Sequence, residues 1–206
     1  MSSEVDICNI ALSNLGSAVQ ITSITPPDGS READLCARFY PVARRAMYTA
    51  DYNWSWTIQR AALVELAGEE VSNWAYAYAV PSNMVRVSAV LPEGYTRTTR
   101  SVPYAVEASS TGSRIIRTNI ADAQIKYTVD VTNAGRFPGS FAIAIARRLT
   151  ALLAGPLIKG LPGVKVSIEH MKLFQVEWAT AVGDDANQSQ DDTYDLEQSA
   201  DLRART

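Results

Sequence analysis

The feature that most constrains the fold is a change of hydrophobic period that begins at Trp74. In the stretch from 74 to 94, WAYAYAVPSNMVRVSAVLPEG, apolar and aromatic residues recur at every second position, which is typical of β-strands. Apolar residues before this stretch, and again after residue 137, recur at helical spacing instead. The sequence therefore predicts helices, then a β insertion, then helices, which is an α+β fold.

These changes of period divide the chain into three parts. Residues 1–70 and 138–183 are expected to form a helical bundle from the N- and C-terminal helices. Residues 71–137 are expected to form a small inserted antiparallel β-sheet or sandwich. Residues 184–206 are expected to be an acidic, flexible C-terminal tail.

The predicted tail is distinguished by its charge. It holds seven acidic residues and two arginines, a charge of −5, whereas the net charge of the whole chain is −3. A polar, acidic segment of this kind cannot bury enough apolar surface to fold alone. It could act as a strap that docks on a partner through Tyr194, Leu196 and Leu202, or it could be a plain solvated tail.

Two helices are predicted in the first fifty residues. Ser3 and Asp6 have the spacing of a capping box, and Gly16 is a stop signal for the first helix. The second helix should run from Arg31 to Ala50, with a kink or a break at Pro41. The apolar stripe expected to face the core from this second helix consists of Leu35, Phe39, Val42, Ala43, Ala46 and Met47.

A third helical piece is predicted from 57 to 66, because Ile58, Ala61 and Ala62 have helical spacing. Trp54 and Trp56 come just before it. No polar constellation accompanies the two rings, so we expect them to pack in the core or at an interface rather than to line a ligand pocket.

The β insertion is expected to contain about five antiparallel strands, because short alternating runs are separated by turn residues. Its last run, from 124 to 131, should turn Ile125, Tyr127, Val129 and Val131 inward. The face that carries Trp74, Tyr76 and Tyr78 is expected to pack the insertion onto the helices around Phe141. Trp74→Ala would then cost about 3–5 kcal/mol as a core truncation.

Two helices are predicted after the insertion. The first, from Phe141 to Leu153, is apolar almost all round and rich in alanine, as expected of a central helix in a bundle or an oligomer. At thirteen residues it is expected to be too short to span a bilayer. The second should run from Val164 to Val182. Its expected inward stripe consists of Val164, Ile168, Met171, Phe174 or Gln175, Trp178 and Val182.

Arginines at positions 31, 38 and 45 follow one face of the second predicted helix at seven-residue spacing. They could form a basic ridge that meets phosphates or an acidic partner. They could equally form a solvated face on which Arg38 pairs with Asp34 one turn earlier. The candidate interface or lumen residues are therefore Arg31, Arg38, Arg45, Arg147 and Arg148.

The sequence shows no pattern typical of a catalytic, metal or cofactor site. His170 is the single histidine and has no cysteine or histidine at metal-ligand spacing. The acidic pair Asp184 and Asp185 is expected to be an exposed run in a loop rather than half of an acid–base pair. We therefore expect no catalytic residue, no metal and no cofactor, and we expect that the protein is not an enzyme.

Several stretches occur in an order that resembles one protein family. They are ICNIALSNLGSA followed by ITSI, then PPDGSREADLCARFYPVARRAM, NWSWTIQRAAL, WAYAYAVPSNMVRV and FAIAIARRLTALLAGPL. Together they are similar to the tail tubular protein A, or head-to-tail adaptor, family of short-tailed bacteriophages. The resemblance extends from about Cys8 to Trp178, with gaps between Tyr95 and Ile120. The residues from Pro138 to Phe141 depart from the acidic lead-in of the family's long helix.

The resemblance implies a structural virion protein at the head-to-tail interface, assembled in the host cytoplasm. It would form a homo-oligomeric ring, a dodecamer, between the portal protein and the tail nozzle protein. DNA would pass through the lumen during genome ejection without sequence-specific binding, and no membrane would be involved. The alternative is a DNA-binding or accessory assembly module that uses the face formed by Arg31, Arg38 and Arg45.

Overall fold

The computed structural model describes residues 2–49, 52–68, 73–96 and 99–188. Within these ranges, helices pack beside two small antiparallel sheets, so the α+β prediction is confirmed. In chain order the elements are α1 (Glu4–Asn14), α2 (Arg31–Thr49), β1 (Ile58–Ala62), β2 (Val64–Glu65), β3 (Tyr76–Ala79), β4 (Met84–Leu91), β5 (Tyr104–Ala108), β6 (Arg114–Thr118), β7 (Gln124–Val129), α3 (Gly139–Leu157) and α4 (Leu161–Ala186).

The start of α1 is the predicted capping box. The backbone N–H of Asp6 donates to the Ser3 hydroxyl at 3.0 Å, and the N–H of Ser3 donates to the Asp6 carboxylate at 2.8 Å. Two N–H groups that the helix cannot pair internally are satisfied in this way. After the helix, Gly16 has a φ of +74°, a left-handed conformation that suits glycine at a helix end.

Helix α2 is one continuous helix through Pro41, not two. Its predicted stripe is wrong by part of a turn, because Val42 is 55% exposed and Leu35 and Phe39 are only half-buried. The side of α2 that faces the core instead carries both small residues and the large Tyr40, Met47 and Tyr48. The fully or almost fully buried residues of α2 are Ala33, Cys36, Tyr40, Ala43, Met47 and Tyr48, together with Arg44.

Helix α3 lies at the centre of the bundle and packs against α1, α2 and α4. It has 19 residues and is apolar enough to cross a membrane by length and composition, so the prediction that it is too short was wrong. However, 56% of its apolar window is buried inside the protein, as in the core helix of a bundle. The helix extends past the predicted end at Leu153 because Pro156 is accommodated in its last turn.

A short connection makes α3 and α4 a tight hairpin. Gly163, in the first turn of α4, lies so close to the end of α3 that a Cβ there would meet the carbonyl oxygen of Ile158. Further along the hairpin, the Ser167 hydroxyl donates to the carbonyl of Ala151 at 2.7 Å. The two helices therefore approach each other through small residues.

The two sheets have the strand orders β1-β7-β4 and β2-β3-β6-β5. The predicted helix from 57 to 66 is wrong, because this segment forms a 3-10 turn at 55–57 and then β1 and β2. Strand β1 pairs with β7 along its whole length, from Ile58 opposite Thr128 to Ala62 opposite Gln124. This pairing outweighs the helical spacing of the apolar residues. Strands thus begin before residue 71, in a part of the chain assigned to the helical bundle.

Leu63 is the point at which the chain leaves one sheet for the other. It is buried between β1 and β2, and its N–H donates to the carbonyl of Ala123 at 2.9 Å. Ala123, also buried, lies between β6 of one sheet and β7 of the other. The two points at which the chain passes from one sheet to the other therefore lie side by side, and the hydrogen bond between them joins the sheets.

The burial pattern of β4 differs from the predicted alternation. Its buried residues are Met84, Val87, Val90 and Leu91, because the pairing with β7 shifts register twice. Each such irregularity adds a residue to one strand and turns the following side chains to the other face. In β7 and just after it the predicted inward residues Ile125, Tyr127, Val129 and Val131 are buried, as expected.

An aromatic cluster joins the helices to the chain that enters the first sheet. The ring of Phe141 contacts Tyr48, Trp54, Trp56 and Phe137, with centroid separations of 4.8–5.6 Å. We predicted that the Trp74 face would pack against Phe141, but these four other rings make that contact instead. Trp74 is half-buried outside the core, and Tyr76 stacks on Tyr78 at 6.2 Å within its own strand. Two earlier tryptophans sit at Phe141 because β1 begins directly after them.

Candidate interaction surfaces

Helix α4 exposes a row of large apolar side chains, which we call the α4 outer face. Leu161, Val164, Ile168 and Val176 are 77%, 53%, 54% and 65% exposed, and Leu173 lies beside them at 40%. Val164 and Ile168 were predicted to face inward, and this was wrong. The helix instead buries Gly163, Ala181 and Asp185 fully. Of the predicted stripe, Phe174, Trp178 and Val182 do face inward and pack, partly buried, against the core.

The α4 outer face also carries charge. Lys165 and Lys172 are exposed between its apolar residues, with Glu169 as the exposed acid on this part of the helix. Exposed apolar residues scattered singly need no explanation, but a contiguous group on one helix face is typical of an interaction site. This face is therefore the first candidate surface.

The three arginines of α2 share an exposed face but have different environments. Arg31 donates to the carbonyl of Pro156 at 2.6 Å and so ties the start of α2 to the end of α3. Arg38 is exposed and makes no ion pair with Asp34 or with any other described residue. The Arg45 side chain is 68% exposed, and its Nε lies 3.9 Å from Asp130. The face is thus only partly free to meet a partner.

Arg147 and Arg148 lie elsewhere, between α3 and α4. Arg147 Nε is 3.8 Å from a carboxylate oxygen of Glu177, and the guanidinium of Arg148 lies over the ring of Phe174 at 5.1 Å. Arg148 Nε is buried without a hydrogen bond among the described residues, and burial lowers the pKa of this guanidinium. The five candidate arginines therefore belong to two separate places rather than to one basic ridge.

A buried ion pair that the sequence analysis missed joins α2 to the end of β7. Arg44 is 6% exposed, and its guanidinium lies 2.9 Å from one carboxylate oxygen of Asp130. It donates to the other carboxylate oxygen at 3.2 Å and to the carbonyl of Val131 at 2.8 Å. The Tyr48 hydroxyl donates to the same carbonyl at 3.0 Å. The adjacent arginines at 44 and 45 were the available signal, since neighbouring residues of a helix point about 100° apart and Arg44 therefore lies off the face shared by Arg38 and Arg45.

Asp185 fixes the end of α4 to the segment before β1. It is 3% exposed, and its carboxylate accepts from the Ser55 N–H at 2.8 Å, the Ser55 hydroxyl at 2.7 Å and the Tyr52 hydroxyl at 2.9 Å. Burial and this hydrogen bond raise the pKa of Tyr52 to about 12. The prediction that Asp184 and Asp185 are exposed in a loop was wrong for Asp185, because α4 continues to Ala186. The predicted docking residues Tyr194, Leu196 and Leu202 lie outside the described residues.

A second surface lies on α1, on the side away from the bundle core. The side chain of Asn9 holds the following loop against the helix, through hydrogen bonds of 2.9 and 3.0 Å to the backbone of Ile21. A shallow concave surface results, and Ile10 is 42% exposed within it. We call this the α1 outer face, and its lining residues are Asp6, Asn9, Ile10, Ser13, Asn14 and Gln20.

Groups that could support metal or redox chemistry are few in the part of the chain that the structure describes. No three His, Cys, Asp or Glu side chains there are placed to hold a metal ion. Burial, together with Arg147, lowers the pKa of His170. Cys8 and Cys36 are buried free thiols on neighbouring helices.

Comparison of the chain with models of known protein families finds no match, and comparison with curated proteins finds none either.

Proposed function

We propose that this chain is a structural virion protein, a head-to-tail adaptor that forms a homo-oligomeric ring between the portal and the tail nozzle. The ordered motifs that resemble the adaptor family suggest this role. The observation on the molecule itself that carries the proposal is the α4 outer face, a row of large apolar side chains open to solvent. A subunit of a ring needs such a surface, whereas a protein that works alone gains nothing from exposing it.

The arrangement of the helices is consistent with this role. Helix α3 is held on three sides by other helices of the same chain, so the bundle has its own core. Helix α4 is packed on one side only and is fixed at its far end through Asp185. A ring subunit with this construction can fold before it assembles.

The test is assembly on the portal. The full-length protein is mixed with the portal protein of the same phage and studied by light scattering and negative-stain electron microscopy. We expect rings seated on the portal, with a mass increase that saturates at a fixed ratio of adaptor to portal. Failure to bind any portal and to form rings would overturn the proposal.

A second candidate function is a DNA-binding or accessory assembly module that uses Arg31, Arg38 and Arg45. The observation in its favour is that Arg38, at the centre of this face, is exposed and makes no ion pair with a described residue. Phosphate contacts by such residues would make the affinity fall steeply as salt rises.

Fluorescence anisotropy with a labelled duplex DNA at several salt concentrations separates the two functions. The DNA-binding function requires tight binding at low salt that is lost in Arg38→Glu and Arg45→Glu, while Lys172→Glu on α4 serves as the charge-matched control. An adaptor is expected to bind weakly, with no more effect of Arg38→Glu than of the control. Absence of binding at low salt removes the second function.

A further inference from the structure

We infer that neighbouring copies of this chain meet head to tail, the α4 outer face of one copy against the α1 outer face of the next. The inference rests on the proposed ring. It names the two surfaces that would close the ring, and it commits to a second copy of this chain as the occupant of the apolar face on α4. Four features of the two faces support it: their positions on the bundle, their level along α3, their charges and their shapes.

The two faces lie on helices that pack on α3 from different sides. Helices α1 and α4 both contact α3, which is the central element of the bundle. The exposed residues of α1 lie opposite its buried residues Cys8 and Leu12, and those of α4 lie opposite Gly163 and Ala181. Each subunit therefore presents two different surfaces at two edges.

The two faces also lie at the same level along α3. The Thr150 hydroxyl is within hydrogen-bond distance of the Ala11 carbonyl, at 3.3 Å, and the Ser167 hydroxyl donates to the carbonyl of Ala151. Ile10 and Ile168 are the neighbours of Ala11 and Ser167 in their helices, and both are exposed. Copies related by rotation about an axis along α3 would therefore bring Ile168 of one copy to the level of Ile10 in the next.

The charges of the two faces are complementary. The α1 outer face carries Asp6, and helix α1 has no basic residue along its length. The α4 outer face carries Lys165, Lys172 and Glu169, so its charge is positive on balance. Opposite net charge favours contact between the α1 and α4 outer faces over contact between two α4 outer faces.

The two faces also differ in shape. The α1 outer face is a shallow depression, since the loop held by Asn9 lies beside Ile10. The α4 outer face is a row of aliphatic side chains that project from the outside of a helix. Because the two surfaces differ, their contact is heterologous, and heterologous contacts close into rings when the rotation between copies permits.

The first experiment is site-directed cross-linking on the portal complex. Full-length Ile10→Cys and Ile168→Cys chains are mixed, assembled with portal protein and treated with a short bis-maleimide. The native Cys8 and Cys36 are buried and fully inaccessible. A pairing of Val64→Cys with Ile168→Cys is the control, since Val64 is 70% exposed on β2, away from the proposed contact. We expect a cross-linked dimer of the first pair that forms several-fold faster than that of the control pair. Equal rates would overturn the inference.

The second experiment tests whether the contact is heterologous. Ile10→Glu and Ile168→Glu each spoil one face and leave the other intact. Each variant alone should therefore fail to form rings, while a mixture of the two should stop at heterodimers in sedimentation velocity. Rings of normal size from Ile10→Glu would overturn the α1 side of the contact.

These outcomes separate the inference from the function on which it rests. If wild-type rings form on the portal but neither variant is impaired, the proposed surfaces are wrong and the adaptor function stands. If the wild-type chain forms no ring on the portal, the adaptor function itself fails.

Discussion

Helices α3 and α4 are consecutive and form one hairpin, yet they use their apolar residues in opposite ways. Ten of the 19 residues of α3 are buried, whereas α4 buries three of its 26. The alanines of α3 let three helices approach it closely, and its one large ring at the start, Phe141, anchors an aromatic cluster. Helix α4 packs Phe174, Trp178 and Val182 partly buried against the core and leaves the aliphatic side chains of its outer face in solvent.

The apolar content of a helix alone therefore does not reveal whether it serves folding or association. The side chains of α3 stabilise the fold of the single chain, because their transfer out of water is complete. Those of the α4 outer face stabilise the monomer little, and their burial remains available for association. Substitutions on the two helices should therefore separate folding from assembly.

The largest expected effect is at the buried start of α3. Phe141→Ala removes a fully buried ring in contact with four other aromatic side chains. We expect the free energy of unfolding to fall by about 3–5 kcal/mol, because the cavity cannot collapse around rigid rings. Urea denaturation followed by tryptophan fluorescence measures it.

Trp74→Ala is the control for this substitution, since Trp74 is a larger ring but only half-buried outside the core. Its cost should be clearly smaller than that of Phe141→Ala. A larger cost for Trp74→Ala would show that the Trp74 face, and not Phe141, anchors the sheets to the helices.

The next largest effect is expected at Asp185, the buried acidic residue near the end of α4. Asp185→Ala leaves the Ser55 N–H, the Ser55 hydroxyl and the Tyr52 hydroxyl without their shared acceptor. We expect the free energy of unfolding to fall by about 2–3 kcal/mol, because a buried donor without an acceptor loses its hydrogen bond to water and gains none in the protein. Asp184→Ala, the exposed neighbour, should change the unfolding free energy little. Equal effects of the two substitutions would show that the end of α4 is not fixed through Asp185.

A smaller effect is expected from alkaline pH at the same contact. The pKa of Tyr52 is raised to about 12 in the folded chain, above the ordinary value of 10.0. Its contribution to stability is therefore fully present below pH 10 and is lost as the pH rises towards 12. Urea denaturation at pH 9 and pH 11 should show a smaller loss for Tyr52→Phe than for the wild type. The same loss in both proteins would mean that the phenol keeps its ordinary pKa.

The smallest effect on stability, and the sharpest contrast with Phe141→Ala, is expected on the α4 outer face. Ile168→Glu places a carboxylate at a position that is 54% exposed. The unfolding free energy should change by no more than about 0.5 kcal/mol, the usual range for surface positions. A loss of several times that size would show that α4 needs this face to fold, and the division between the two helices would fail.

Local signals in the sequence were sufficient for part of the fold. The capping box at Ser3 and Asp6 is a short-range pattern, and it set the start of α1 correctly. The predicted span of α2, Arg31 to Ala50, agrees with the observed Arg31–Thr49 to within one residue. The inward residues of β7 followed from strict alternation, because successive side chains of a strand point to opposite faces of the sheet.

The features that were missed depend on partners far away in the chain. Residues 58–62 have the spacing of a helix and become a strand only because β7, more than sixty residues later, pairs with them. Taken alone, Arg44 and Asp185 are charged residues of the kind expected to face solvent. Their burial depends on contacts with Asp130 and Ser55, respectively, which are distant in sequence. The outward turn of Val164 and Ile168 was missed because hydrophobicity places large side chains inward, whereas the close approach of α3 and α4 at Gly163 leaves no space for a side chain beside the turn.

Gly163 illustrates how little sequence freedom such a hairpin leaves. Any other residue would drive its Cβ into the carbonyl oxygen of Ile158, a backbone atom that no rotamer change can move aside. Gly139 and Gly155, in contrast, have open space where a Cβ would be added. In a library that randomises these three codons, selection for soluble protein should return glycine almost alone at 163 and a broad set of residues at the other two. The turn between the central helix and the exposed one is thus a mutational bottleneck.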